Sequence, residues 1–173
     1  TKNQTVGPVV VNATCGVGMY TIFNLTVVDE ITQSKLNGTS HNSSIKTDLY
    51  LYTSDRTSTL VHYYNDFVLT NPATICIANN LSNGEQYSLD LQIQYSATNY
   101  SSEFYNIERY VINSSSLFNN RTLYLLDTTN TQKFELIARD SSFLPLDGAL
   151  IQIERKYIEN GTFYISEIPK TNE

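Results

Sequence analysis

Three observations predict an all-β fold for this 173-residue chain, specifically a β-sandwich. Apolar and polar residues alternate with period two along most of the length, whereas a 3.6-residue period is hard to find. Asn37-Gly38, Asn83-Gly84, Asp147-Gly148 and Asn160-Gly161 punctuate those runs with residues that tolerate positive φ. The resulting segments are short and number about ten, which suits two packed sheets and not a βαβ unit.

Taken in order, the first apolar run is Val6-Gly7-Pro8-Val9-Val10-Val11. Pro8 cannot donate to a ladder, so this run suits an edge strand or a strand added to a neighbour's sheet. Both readings stand on the sequence: an ordinary first strand, or a donor strand. With Asn12 facing water, Gly7, Val9 and Val11 share the inserted side, and Val6, Pro8 and Val10 share the side of Asn12. The next strand covers Met19–Val28, with Thr21, Phe23, Leu25 and Val27 inward and Asn24 outward. Further strands are expected at Ile45–Thr53, Leu60–Leu69 and Thr74–Ala78. The clearest alternation follows, Tyr87, Leu89, Leu91, Ile93 and Tyr95 interleaved with Ser88, Asp90, Gln92, Gln94 and Ser96. Phe104–Ile112, Thr122–Leu126, Lys133–Arg139, Ala149–Tyr157 and Thr162–Ile168 complete the set. Polar stretches over 114–132 set a soft boundary. The expected organisation is an N-terminal arm (1–13), a main sandwich (14–130) and a C-terminal β module (131–173), so the fold includes either one sandwich or two packed β modules.

Composition bears on the surroundings. Only 16% of residues are charged, against roughly 25% in an ordinary domain. The net charge of −6 argues against a nucleic-acid partner. No run reaches the 18 uncharged apolar residues of a membrane helix, so no span is expected. The chain opens at Thr1 without a charged-then-apolar leader, and reads as a mature or trimmed chain whose targeting segment, if any, has been removed.

The strongest local signal is Asn-x-Ser/Thr, the acceptor pattern for N-glycosylation. It occurs at Asn3, Asn12, Asn24, Asn37, Asn42, Asn80, Asn99, Asn113, Asn120 and Asn160, ten of the 18 asparagines. Random placement of the 37 Ser and Thr residues would produce about four. Bulky hydrated saccharides at these positions would replace ionised side chains in keeping the surface wet, and they point to an extracellular chain. Cys15 and Cys76 are the only cysteines. In that compartment an even pair reads as one disulfide, the alternative being two packed thiols.

Catalytic signatures are missing from the sequence. His41 and His62 show no HExxH spacing, and neither GxSxG nor GxxxxGK occurs. Cys76 with His62 is a formal nucleophile pair, and Asp140 with Asp147 a formal calcium pair, but an alternating oxygen-ligand loop is lacking. The reading is of a non-enzyme with no cofactor. Tyr50, Tyr52, Tyr63, Tyr64, Tyr105 and Tyr110 raise a carbohydrate-binding face, or subunit contacts, for which tyrosine is favoured.

Beyond residue 131, Phe134-Glu135-Leu136-Ile137-Ala138-Arg139-Asp140, then Pro145-Leu146-Asp147-Gly148-Ala149, and later Pro169-Lys170-Thr171 resemble the immunoglobulin-like modules of the carboxypeptidase-regulatory and transthyretin-like kind. That resemblance covers about 40 residues and implies a structural or adhesive unit. The Asn/Thr/Tyr-rich, sequon-dense character with an apolar N-terminal arm resembles archaeal surface filament subunits of the thread or bundling-pilus kind. It implies a homopolymer joined by strand donation, with N-glycans as its covalent partners. The other readings open at this point are a fragment or repeat of an adhesin or virion surface glycoprotein, and a secreted carbohydrate-binding domain.

Overall fold

The computed structural model describes residues 9–78, 81, 84–131, 137–146, 148–149, 153–156 and 163–167. Among them are ten strands: β1 (Val11–Asn12), β2 (Tyr20–Asp29), β3 (Ser44–Thr53), β4 (Thr59–Val68), β5 (Ala73–Ile77), β6 (Tyr87–Ser96), β7 (Glu103–Ile112), β8 (Asn119–Leu125), β9 (Ile153–Lys156) and β10 (Phe163–Glu167). One short 3-10 turn, Thr128–Asn130, is capped by the Asp127 carboxylate, which accepts from the Thr129 N–H.

Two four-stranded sheets pack into a β-sandwich. The first runs β1-β5-β2-β8 and the second β4-β3-β6-β7. The chain enters the first sheet at β1 and β2, crosses for β3 and β4, returns for β5, crosses again for β6 and β7, and comes back for β8. This is the immunoglobulin-like Greek-key path. All ladders are antiparallel except β2 with β8, which is parallel from Phe23↔Asn119 to Asp29↔Leu125. β9 and β10 form an antiparallel hairpin, and β10 runs close beside β7.

The alternation in sequence becomes burial in space. Phe23, Leu25 and Val27 of β2 are wholly buried, and so are Leu89, Leu91 and Ile93 of β6, facing Ile45, Leu49, Leu51, Ile75 and Ile77. Each such side chain contributes on the order of 1.5–3 kcal/mol by leaving water. Thr21 departs from the expected pattern. The β2–β5 register shifts between Thr21↔Cys76 and Phe23↔Ile75, so Ile22 is the extra residue of a bulge. Thr21 is thereby displaced from the side of Phe23 to the side of Cys76.

β8 begins at Asn119, three residues before the expected Thr122. Asn119 is polar and is followed by Asn120 and Arg121, yet its Nδ2 donates to Ile22 O at 3.1 Å and its Oδ1 accepts from the Tyr110 hydroxyl at 2.8 Å. These bonds let an amide side chain open a strand. Of the expected strand Lys133–Arg139, residues 133–136 lie outside the described residues. Leu146 N donates to Ala138 O at 3.0 Å, and Arg139 bridges Pro145 around a turn in which Asp140 Oδ1 accepts from Ser142 N and Leu144 N.

Gly38 packs where no side chain fits, for a Cβ there would lie 2.1 Å from Leu69 O. Asn71, just beyond, extends the β2 edge past its last pairing with β5. Its Oδ1 accepts from Val27 N at 3.0 Å, and its Nδ2 donates to Val27 O at 2.8 Å and to Leu36 O at 2.5 Å.

Candidate functional site

The described acceptor asparagines lie on the first sheet and in loops at both ends of the sandwich. Asn24 and Asn120 project from the outer face of the first sheet, and Asn12 from its β1 edge. Asn37, Asn42 and Asn99 cluster in loops at one end: His41 N donates to Asn37 O, Thr98 N to His41 O, and Asn42 Nδ2 to Thr98 Oγ1. Asn113 occupies the β7–β8 loop. None of these seven lies on β3, β4, β6 or β7. Asn3, Asn80 and Asn160 lie outside the described residues.

Local geometry at several sequons follows from their own composition. Asn37 Oδ1 accepts from Thr39 N and Oγ1, both at 3.3 Å, and Asn113 Oδ1 accepts from Ser115 N at 3.0 Å and Oγ at 2.6 Å. Asn12 Oδ1 accepts from Thr14 N at 3.2 Å. Each is an Asx turn closed by the sequon's third residue. Asn42 and Asn99 instead adopt positive φ, 46° and 68°, which asparagine tolerates better than most residues.

Cys15 is bonded to Cys76, with Cα atoms 5.5 Å apart in space and the residues 61 positions apart in sequence. The bond fastens the loop after β1 to β5, within one sheet. It also consumes the Cys76 thiol that nucleophilic chemistry would need. Beside it, β1 pairs with β5 through Val11↔Ile77 and Asn12↔Cys76, and Ala78 N donates to Val10 O. Val11 is buried, Val9 packs against the core, and Val10 and Asn12 are exposed. Val11 thus sits in the chain's own first sheet, Val10 O extends that pairing by accepting from Ala78 N, and Val9, Val10 and Val11 keep the expected parity. Val6, Gly7 and Pro8 lie outside the described residues.

The second sheet presents a different surface. Tyr50 stacks on His62 across the β3–β4 pair, with centroids 4.3 Å apart and planes at 12°. His62 Nε2 lies 2.6 Å from Asp48 Oδ1. The Arg56 guanidinium covers the Tyr52 ring at 4.2 Å and forks onto Asp90, Nη1 to Oδ1 at 2.9 Å and Nη2 to Oδ2 at 2.5 Å. Burial would raise the Asp90 carboxyl, but hydrogen bonds from Arg56 and from Arg109 N outweigh it and hold the group below its ordinary range. Among the sequence-flagged tyrosines, Tyr105 is buried, and Tyr63 and Tyr110 pack against the core, leaving Tyr50, Tyr52 and Tyr64 on the outer face. A ring face is already spent on His62 at Tyr50 and on Arg56 at Tyr52, which narrows the area open to a sugar.

β4 pairs only with β3 among the described residues. It is ten residues long and carries neither Lys nor Pro, two of the devices that usually blunt a sheet edge. Leu60, Tyr64 and Val68 project from it exposed. This open edge escapes a reading of the sequence, because β4 alternates like its neighbours and edge position is a property of pairing order. No helix among the described residues is long and apolar enough to cross a membrane. No protein-family model, curated protein or solved structure matches this chain.

Proposed function

We propose that this chain is a structural subunit of an extracellular, N-glycosylated assembly whose copies join by β-strand addition. The observation that carries the reading is that none of the seven described acceptor asparagines lies on β3, β4, β6 or β7. A hydrated saccharide obstructs protein contact wherever it is rooted. Those strands include β4, a ten-residue edge paired on one side only among the described residues, and strand addition needs such an unpaired row of N–H and C=O groups. A disulfide suits the oxidising compartment in which glycosylated surface proteins work.

Val11 pairs within the chain's own sheet and Val9 packs on its core, so the donor narrows to the residues before them, with Val6, Gly7 and Pro8 nearest. Eight extended residues span at most about 26–29 Å, enough to run along most of β4 in a neighbouring copy. Deleting residues 1–8 leaves β1 and the disulfide in place. The shortened chain is expected to elute as a monomer with an unchanged melting temperature, while full-length native material elutes as polymer. Polymer of undiminished size from the shortened chain would refute strand donation by this segment.

A further inference from the structure

Two sequons lie side by side in the parallel β2–β8 ladder. Asn24 pairs with Asn120, Leu25 with Arg121 and Thr26 with Thr122, so acceptor amide stands beside acceptor amide and hydroxyl residue beside hydroxyl residue. Asn24 Nδ2 donates to Asn120 Oδ1 at 3.0 Å. Two hydrated saccharides on these residues would be rooted about 5 Å apart, the spacing of neighbouring strands, and would compete for one column of space above the sheet.

The two positions are unequal. Asn24 belongs to a strand paired on both sides, to β5 through Thr74 and to β8 through Asn120. It is half-buried, and its amide nitrogen is engaged as a donor. Asn120 belongs to β8, which pairs only with β2 among the described residues, and it is exposed. Its carbonyl accepts the bond from Asn24, and its own Nδ2 makes no hydrogen bond among the described residues. A saccharide on Asn120 Nδ2 leaves the Asn24–Asn120 bond intact. One on Asn24 takes up a donor nitrogen between two strands.

Building on the glycoprotein reading above, we propose that Asn24 and Asn120 form a single glycosylation locus, in which Asn120 carries the saccharide and Asn24 stays unmodified as its hydrogen-bonded support. The test is site-resolved glycopeptide mass spectrometry of the native full-length chain, with intact masses of Asn24→Gln and Asn120→Gln made in the same host. The expected result is saccharide on Asn120, a bare Asn24 in the same molecules, no loss of glycan mass for N24Q and loss of one glycan's mass for N120Q. Saccharide on both residues of one molecule, or on Asn24 alone, overturns the proposal while Asn37, Asn42 and Asn99 remain as evidence for a glycoprotein. Absence of saccharide from every sequon overturns both. Saccharide on those three with none at Asn24 or Asn120 overturns this proposal only.

Discussion

The Tyr100 hydroxyl donates a 2.9 Å hydrogen bond to Asp29 Oδ2, joining the β6–β7 loop of the second sheet to the end of β2 in the first. Asp29 is buried, and its Oδ1 accepts from Ile31 N at 2.9 Å and Thr32 N at 2.6 Å. The Thr32 N–H does most to hold this carboxyl below its ordinary range. Burial opposes it, and the Tyr100 hydroxyl adds to it. A depressed folded-state pKa contributes stability that is complete above the unfolded value, about 4, and is lost as pH falls through the folded value. Tyr100→Phe is therefore expected to cost about 1.5–3 kcal/mol at neutral pH. The gap between variant and parent should shrink below about pH 4. Urea titrations at several pH values measure this, and a gap that grows on acidification would contradict the assignment.

Gly38→Ala places a methyl group 2.1 Å from Leu69 O, a backbone atom on a segment tied by the Leu69 N to Ser43 O bond. Neither side yields easily, so the substitution is expected to lower stability by about 1–3 kcal/mol or more. The loss should appear as a lower urea midpoint with an unchanged slope. A midpoint equal to the parent's would mean that this close approach does not exist in solution.

The Cys15–Cys76 bond closes 61 positions of chain, worth roughly 4 kcal/mol in the chain-entropy model. Native alkylation is expected to label neither cysteine. The double variant Cys15→Ala/Cys76→Ala should unfold at lower urea and lose amide protection at Ala78, whose N–H holds β1 through Val10 O. Labelling of both thiols in the untreated native protein would remove the bond from the account.

Much of the sandwich is legible in the sequence because its cause is local. Leu89, Leu91 and Ile93 alternate with Asp90 and Gln92, and a one-residue slip would expose every one of them. Glycosylation candidates are equally local, since Asn-x-Ser/Thr is a three-residue pattern. What stays hidden depends on partners far away in sequence. The bulge at Ile22 is set by the β5 register, and Asn119 enters a strand only because Ile22 O and the Tyr110 hydroxyl meet its amide. The pairing of Asn24 with Asn120, 96 positions apart, follows from a parallel ladder that alternation cannot specify. The open edge of β4 is hidden for the same reason.

Glycosylation itself has a direct readout. The polypeptide mass is 19.6 kDa, and native material is expected to run well above it and to collapse toward it on enzymatic or chemical deglycosylation. Native protein at the bare mass would end the glycoprotein reading.

Electron microscopy of the native, unfractionated protein bears most directly on the account as a whole. An assembly built by adding a strand of one copy to the β4 edge of the next predicts elongated polymers with a repeat close to one sandwich. A field of dispersed single particles under the same conditions would contradict it.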